Sequence, residues 1–347
     1  MKIIRCVIRV VLICSSLTLA QTTTSCNPTE KTCPPDTALS SSTYSHDFTT
    51  GDDSSNWNVT AGTVSYTSSG AEFTINKAGD APTIRSKWYI FFGRVSFHIR
   101  AAPGTGIVSS AILESDDLDE VDWEWIGGSS GKTQSNYFGK GNTTSYDRAV
   151  WIDTADTQST SHNYTITWTS SAITWYVDNA AIRTLNYADA LGGKNYPQTP
   201  MNVRIGIWAG GDSSNSEGTI EWAGGETNYD NGPFTMILEK VEVVNENPGG
   251  SYVYGDRTGD FGSIKVEAAN ESSTSASTST ETTKATSVAG ESKTTGSATS
   301  TLTGMWWTAS AEAIKASAQS SDTTVVKEVG LWGLGAVTML VAWIHAY

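Results

Sequence analysis

The chain has 347 residues, with 36 acidic against 22 basic side chains and a formal charge of −14. Such a surface repels polyanions, which excludes nucleic acid and an anionic membrane face as partners and leaves neutral polymers. Its four cysteines exclude a cysteine-dense appended knot.

At the N-terminus, Lys2, Arg5 and Arg9 precede an apolar run from Val10 to Leu19 that closes on Thr18-Leu19-Ala20. A basic start, a short apolar core and small residues before a cut predict a secretory signal peptide over 1–20. The run is shorter than the ~20 residues a spanning helix needs. Cys6 and Cys14 leave with the signal, so the mature chain keeps Cys26 and Cys33, an even pair close in sequence. One disulfide is expected between them, contributing on the order of 2 kcal/mol for so short a loop.

Residues 21–268 read as one all-β domain. "GRVSFHIRA", "HNYTITWTSSAITWYVDNAAIRTL", "NVRIGIWAGG" and "FTMILEKVEVV" are rich in β-branched and aromatic residues and are broken by Gly, Asn, Asp and Ser, the texture of short strands and turns. Asp178-Asn179 sits where a tight hairpin needs residues tolerant of positive φ. No long stretch has a helical period, and two antiparallel sheets packed face to face would bury this many aromatics.

Past the domain, 20 of the 32 residues from Ser272 to Thr303 are Ser or Thr. Such a stretch cannot build a core, and it predicts an O-glycosylated linker over 269–316. Val329 to Ile344 is a second uncharged apolar run with no Lys or Arg after it, which fits a cleaved GPI-attachment signal over 317–347 better than a permanent span. Ala316 opens the small-residue triplet Ala316-Ser317-Ala318 ahead of a polar spacer, and is the expected attachment residue; Ser310, Ser320 and Ser321 are rivals, and a short tail anchor is the alternative. Asn58, Asn142, Asn163 and Asn270 each open an Asn-x-Ser/Thr sequon, the mark of surface in a secreted chain. The expected location is extracellular, at the membrane through a GPI lipid or in a cell wall, and the expected state is a monomer.

The chemistry concentrates in "DEVDWEW". On a strand, Glu120, Asp122 and Glu124 point to one face while Val121, Trp123 and Trp125 point to the other. The apolar set predicts a core face, and three stacked like charges are costly unless used. Two carboxyl groups about 5 to 5.5 Å apart suit a retaining glycosidase, one attacking the anomeric carbon and the other protonating the leaving oxygen. The outer Cα atoms lie ~13 Å apart on a strand, so long glutamate side chains must lean inward to meet. Asp122 between them can separate their protonation states. A calcium site is the alternative use of clustered acids, though ligands from neighbouring loops would suit it better than one stiff strand; no metal or cofactor is expected.

At these residues the sequence resembles glycoside hydrolase family 16, and with Ile126-Gly127-Gly128 following, its Crh group of fungal cell-wall transglycosylases. "QSNYF" from Gln134 to Phe138, "HNYTITW" from His162 to Trp168, "MNVRIGIWAGGD" from Met201 to Asp212 and "GTIEWAGGETNY" from Gly218 to Tyr229 extend the similarity in order. The resemblance spans roughly Cys26 to Ile264, with Ser135 a departure from the group's usual threonine. It implies a β-jelly-roll sandwich with a cleft across a concave sheet. It also implies a double displacement with Glu120 similar to the nucleophile, Asp122 to its helper and Glu124 to the acid/base. The unbroken acid spacing fits the branch without a bulge in this strand. Chitin as donor and β-glucan as acceptor are likewise implications of the group.

A cleft for β-linked sugars needs aromatic planes and hydrogen-bonding rims. Gln134, Asn136, Tyr137, Arg204, Trp208 and Trp222 are the candidates for substrate contact, Trp168 and Trp175 are read as core, and His162 as a structural hydrogen-bonder. Two rival functions stay open: an endo-β-glucanase or chitinase that releases the intermediate to water, and a non-catalytic glycan-binding adhesin displayed on a stalk.

Overall fold

The computed structural model describes residues 24–269. The expected signal peptide, almost all of the linker, the GPI segment, Asn270 and Ala316 lie outside the described residues. The strands in chain order are β1 (Asp36–Thr37), β2 (Thr43–Asp47), β3 (Trp57–Ala61), β4 (Val64–Thr67), β5 (Gly70–Ile75) and β6 (Thr83–Ile90). Next come β7 (Gly93–Arg100), β8 (Ile107–Ser115), β9 (Glu120–Ile126), β10 (Lys132–Phe138), β11 (Val150–Asp153) and β12 (His162–Trp168). The last are β13 (Ala172–Val177), β14 (Ala180–Asn186), β15 (Met201–Ala209), β16 (Phe234–Asn245), β17 (Ser251–Tyr254) and β18 (Ile264–Glu267), with one short helix, α1 (Glu217–Trp222), after β15.

Two large antiparallel sheets carry the domain. One is seven-stranded in the order β11-β10-β9-β8-β15-β6-β3; the other runs β14-β13-β12-β7-β16-β5-β4, with β2 also pairing β16. β1, β17 and β18 form a small third sheet. Strand order differs from chain order because distant segments close the sheets: β15 enters between β8 and β6, and β16 between β7 and β5. This is the all-β sandwich that the strand-rich sequence predicts.

One apolar core fills the space between the two large sheets, including Phe73, Phe97, Ile99, Val121, Trp123, Trp125, Tyr164, Trp168, Trp175, Ile205 and Val241. Burial of this many large apolar surfaces is the main favourable term for a sheet sandwich. The β13–β14 hairpin turns at Asp178 and Asn179 with φ of 48° and 68°, the left-handed pair such a turn requires. Cys26 and Cys33 are joined, their Cα atoms 5.8 Å apart, as expected. Of the sequons, Asn58 is exposed and Asn142 and Asn163 are partly buried.

Candidate active site

β9 is held on both sides without interruption: Glu120, Asp122 and Glu124 pair with Glu114, Ile112 and Ser110 of β8 and with Phe138, Asn136 and Gln134 of β10. Directly opposed residues share a face, so these side chains and the acid triplet lie on one side of the sheet. Neither ladder shifts register between Glu120 and Ile126, and a bulge would have turned one of the acids into the core. On the reverse face Trp123 and Trp125 pack with ring centroids 6.5 Å apart, and Tyr164 of the other sheet meets both edge-on. Trp175 donates its indole N–H to the Asp122 carbonyl at 3.0 Å, which ties the second sheet to the middle of the acid strand. Trp168 and Trp175 are core, as read from the sequence.

The acids open into a cleft of about 530 Å³ lined by Glu120, Asp122, Glu124, Gln134, Asn136, Phe138, Tyr146, Trp208, Thr219 and Trp222 among others. Burial pushes the Glu120 carboxyl well above its ordinary value, with the charges of Asp122 and Glu114 adding to the effect. Glu124 is likewise driven well up, by burial and then by Asp122. Asp122 rises less, to about 7, because a hydrogen bond from Glu120 and the Arg183 guanidinium both favour its charged form against the burial that raises it. The three carboxyl groups therefore titrate as one interacting set held above the ordinary carboxyl range.

Four of the six predicted contact residues line this cleft: Gln134, Asn136, Trp208 and Trp222. Gln134 stands across from Glu124 and Asn136 across from Asp122. Trp208 and Trp222 stack at 6.1 Å with an interplanar angle of 24° and pack on a small cluster of Val108, Ile126 and Ala223 instead of the main core. Arg204 shares the cleft face two strands from Asp122, through Ile112, and its Nε lies 2.7 Å from Glu114 Oε2. Tyr137 is a correction. It opposes Val121, so strand alternation sends it to the core side, where Arg183 lies 5.6 Å from its ring centre; Phe138 takes the cleft position. His162 sits in the second sheet with Nδ1 2.7 Å from Asp178 Oδ2, the structural role expected of it.

Sequence reasoning missed Glu114, the fourth acid of this face, because β8 is buried along its whole length and shows no alternation. It also missed Thr219 on α1. The available signal was Ser216, whose hydroxyl caps the helix by accepting from Thr219 N–H, a local stop-and-start pattern that six residues are too short to announce by periodicity. Among the described residues no group of three or more His, Cys, Asp or Glu side chains is arranged to hold a metal ion.

An all-β sandwich with acids at every second position of one unbulged strand, buried in a cleft walled by stacked tryptophans, defines a glycoside-processing enzyme of the jelly-roll class. The sequence pattern described as "Glycosyl hydrolases family 16" matches residues 51–224, and the chain belongs to that family. It is 58% identical over 250 residues to Crh-like protein 1 of Aspergillus fumigatus, a match covering 72% of this chain and 68% of the relative. Crh-like protein 5 of the same organism is 55% identical over 256 residues, 74% of this chain and 65% of the relative. A solved structure of Crh5 transglycosylase in complex with NAG is 56% identical, with a TM-score of 0.69, covering 70% of this chain and all of that one. Within the family the chain is thus a Crh-type transglycosylase.

Proposed function

We propose that the chain works by double displacement with Glu120 as nucleophile, Glu124 as acid/base and Asp122 as the group that manages the proton on Glu120. The observation that carries this reading is the unbroken β9 ladder, which puts all three carboxyl groups in one buried cleft. In the resting site burial, with Asp122 beside it, keeps Glu120 protonated. As positive charge develops at the anomeric carbon, that proton passes to Asp122 and the freed Glu120 carboxylate forms the new C–O bond. The glycosidic C–O bond breaks at the same centre, and Glu124, kept protonated by burial and by Asp122, gives its proton to the departing oxygen. In the second half the Glu124 carboxylate removes a proton from an acceptor hydroxyl. That oxygen attacks the anomeric carbon, the ester to Glu120 breaks, and the proton returns from Asp122.

The donor in this reading is chitin and the acceptor β-glucan. It is supported by the Crh-like relatives and by the relative solved with NAG. A GPI anchor and a final location at the membrane or wall belong to the same reading, supported by the composition of the C-terminal segment. Water stands at ~55 M, so transfer dominates only if acceptor subsites hold a hydroxyl in near-attack geometry, where effective molarities reach about 10⁵ M or more. The test is a chitin oligomer given with a fluorescent β-1,3-glucan oligomer. Labelled hybrid chains should increase with acceptor while reducing ends accumulate slowly. Hydrolysis outrunning hybrids at millimolar acceptor would replace this reading with a glycosidase, and tight binding without either reaction would replace it with a lectin.

A further inference from the structure

We infer that Trp151, in the segment that also carries the exposed Tyr146, is the platform on which a ring of the incoming glucan acceptor stacks, an assignment that rests on the transglycosylase reading above. Gln134 pairs with Glu124 on one side and with Trp151 on the other. The three side chains therefore form one row across the cleft face, and at ~4.8 Å between strands Trp151 stands about 10 Å from Glu124. That is roughly the span of two sugar rings.

Of the nine tryptophans among the described residues, Trp151 alone is exposed, at 45%. Its neighbour Ile152 points the other way and is 7% exposed, so the strand is correctly seated and the indole is outside by register, not by fraying. Tyr146 is 72% exposed. The segment that carries these rings is held in place: Arg148 donates to the carbonyls of Asn142 and Ser145 at 2.6 and 2.7 Å and lies 4.8 Å from the centre of the Phe138 ring. Phe138 in turn meets Tyr146 edge-on at 6.4 Å. Exposed aromatic planes beside a catalytic cleft are what the C–H face of a sugar binds.

The two ends of the cleft differ in the way a transfer reaction requires. On the β15 side, the stacked Trp208 and Trp222 wall the cleft together with α1. That enclosed end suits the donor, whose sugar stays covalently attached while its partner is exchanged. On the other side the sheet ends at β11, leaving Trp151 at an open edge. The acceptor enters only after the leaving chain has gone, so its subsites must be reachable from solvent during the life of the intermediate. Trp151 and Tyr146 meet that condition.

The experiment is steady-state transfer from a chitin oligomer to a fluorescent β-1,3-glucan oligomer, with each substrate varied in turn. Trp151→Ala should raise the acceptor KM about tenfold, the size of a lost aromatic stacking contact. The donor KM and the rate at saturating acceptor should stay near wild type, and hydrolysis should gain on transfer at fixed acceptor. Trp151→Phe should recover most of the acceptor affinity, and Tyr146→Ala, at a still more exposed site, should give a smaller rise of the same kind. An unchanged acceptor KM in Trp151→Ala and Tyr146→Ala, or a rise confined to the donor KM, overturns the assignment while wild-type transfer stands. Absence of hybrid product from the wild-type enzyme overturns the transglycosylase reading and this assignment with it.

Discussion

Glu120 and Asp122, two residues apart on β9, turn their carboxyl groups to the same buried face, where burial raises both and their mutual interaction raises Glu120 further while favouring charge on Asp122. Burial raises Glu124, and the charge of Asp122 adds to it. Asp122→Asn keeps the shape and removes that charge. Glu120 and Glu124 should both titrate lower, so both limbs of the pH–rate profile should move to lower pH. The rate should also fall, because Asn cannot take the Glu120 proton during attack. A pH profile that keeps its position would reduce Asp122 to a structural role.

Glu120→Gln removes the attacking group while filling the same space beside Asp122. No glycosyl ester can form, so turnover should drop by at least about 100-fold with glycan binding retained. Residual turnover above that level in purified protein would take the nucleophile role away from Glu120.

The consequence of Glu124→Gln differs in kind. An aryl glycoside with a good leaving group needs little protonation and should still load the enzyme, whereas a natural sugar leaving group should suffer most. Comparing the two donors is the check: equal damage to both would remove Glu124 from acid catalysis.

Much of this site was legible because the strand that carries it alternates. A period of two reports which face a residue occupies, so Trp123 and Trp125 could be placed in the core and the acids in the cleft from spacing alone. Applied to "QSNYF", the same rule separates Tyr137 from Gln134 and Asn136, since it puts Tyr137 level with Val121 and not with Asp122; reading the motif as one block obscured this. Partners across strands were not legible. That Glu114 faces Glu120, that Trp175 reaches the Asp122 carbonyl and that Trp151 lies in the Glu124 row follow from register between segments distant in the chain, which no local pattern encodes.

The buried acids also give the domain an unusual dependence of stability on pH. Burial raises Asp36 and Glu114 to about 8 and Asp119 and Asp122 to about 7, and it drives Asp117, Glu120 and Glu124 upward too. Each folded value lies above the unfolded one, so the native state binds more protons throughout the interval between them, and stability must fall as pH rises from about 4 to about 8. The carboxylates held below their ordinary values, Asp47, Asp53, Asp178, Asp212, Glu242 and Asp256, act in the opposite direction. Their stabilisation is lost only as pH drops below the normal carboxylate range of about 4, outside this window. The Tm should therefore be highest at mildly acidic pH, near 5, and decline toward 8. Asp36 is the cleanest probe because it lies outside the catalytic triplet, is 6% exposed and has a carboxyl oxygen without a hydrogen-bond partner. Asp36→Asn cannot ionise, so it should leave the Tm near pH 5 little changed, raise it at pH 8 and flatten the slope between them. A wild-type Tm that is level or rises from pH 5 to pH 8 would show that these carboxyl groups are ionised in the folded protein at no cost.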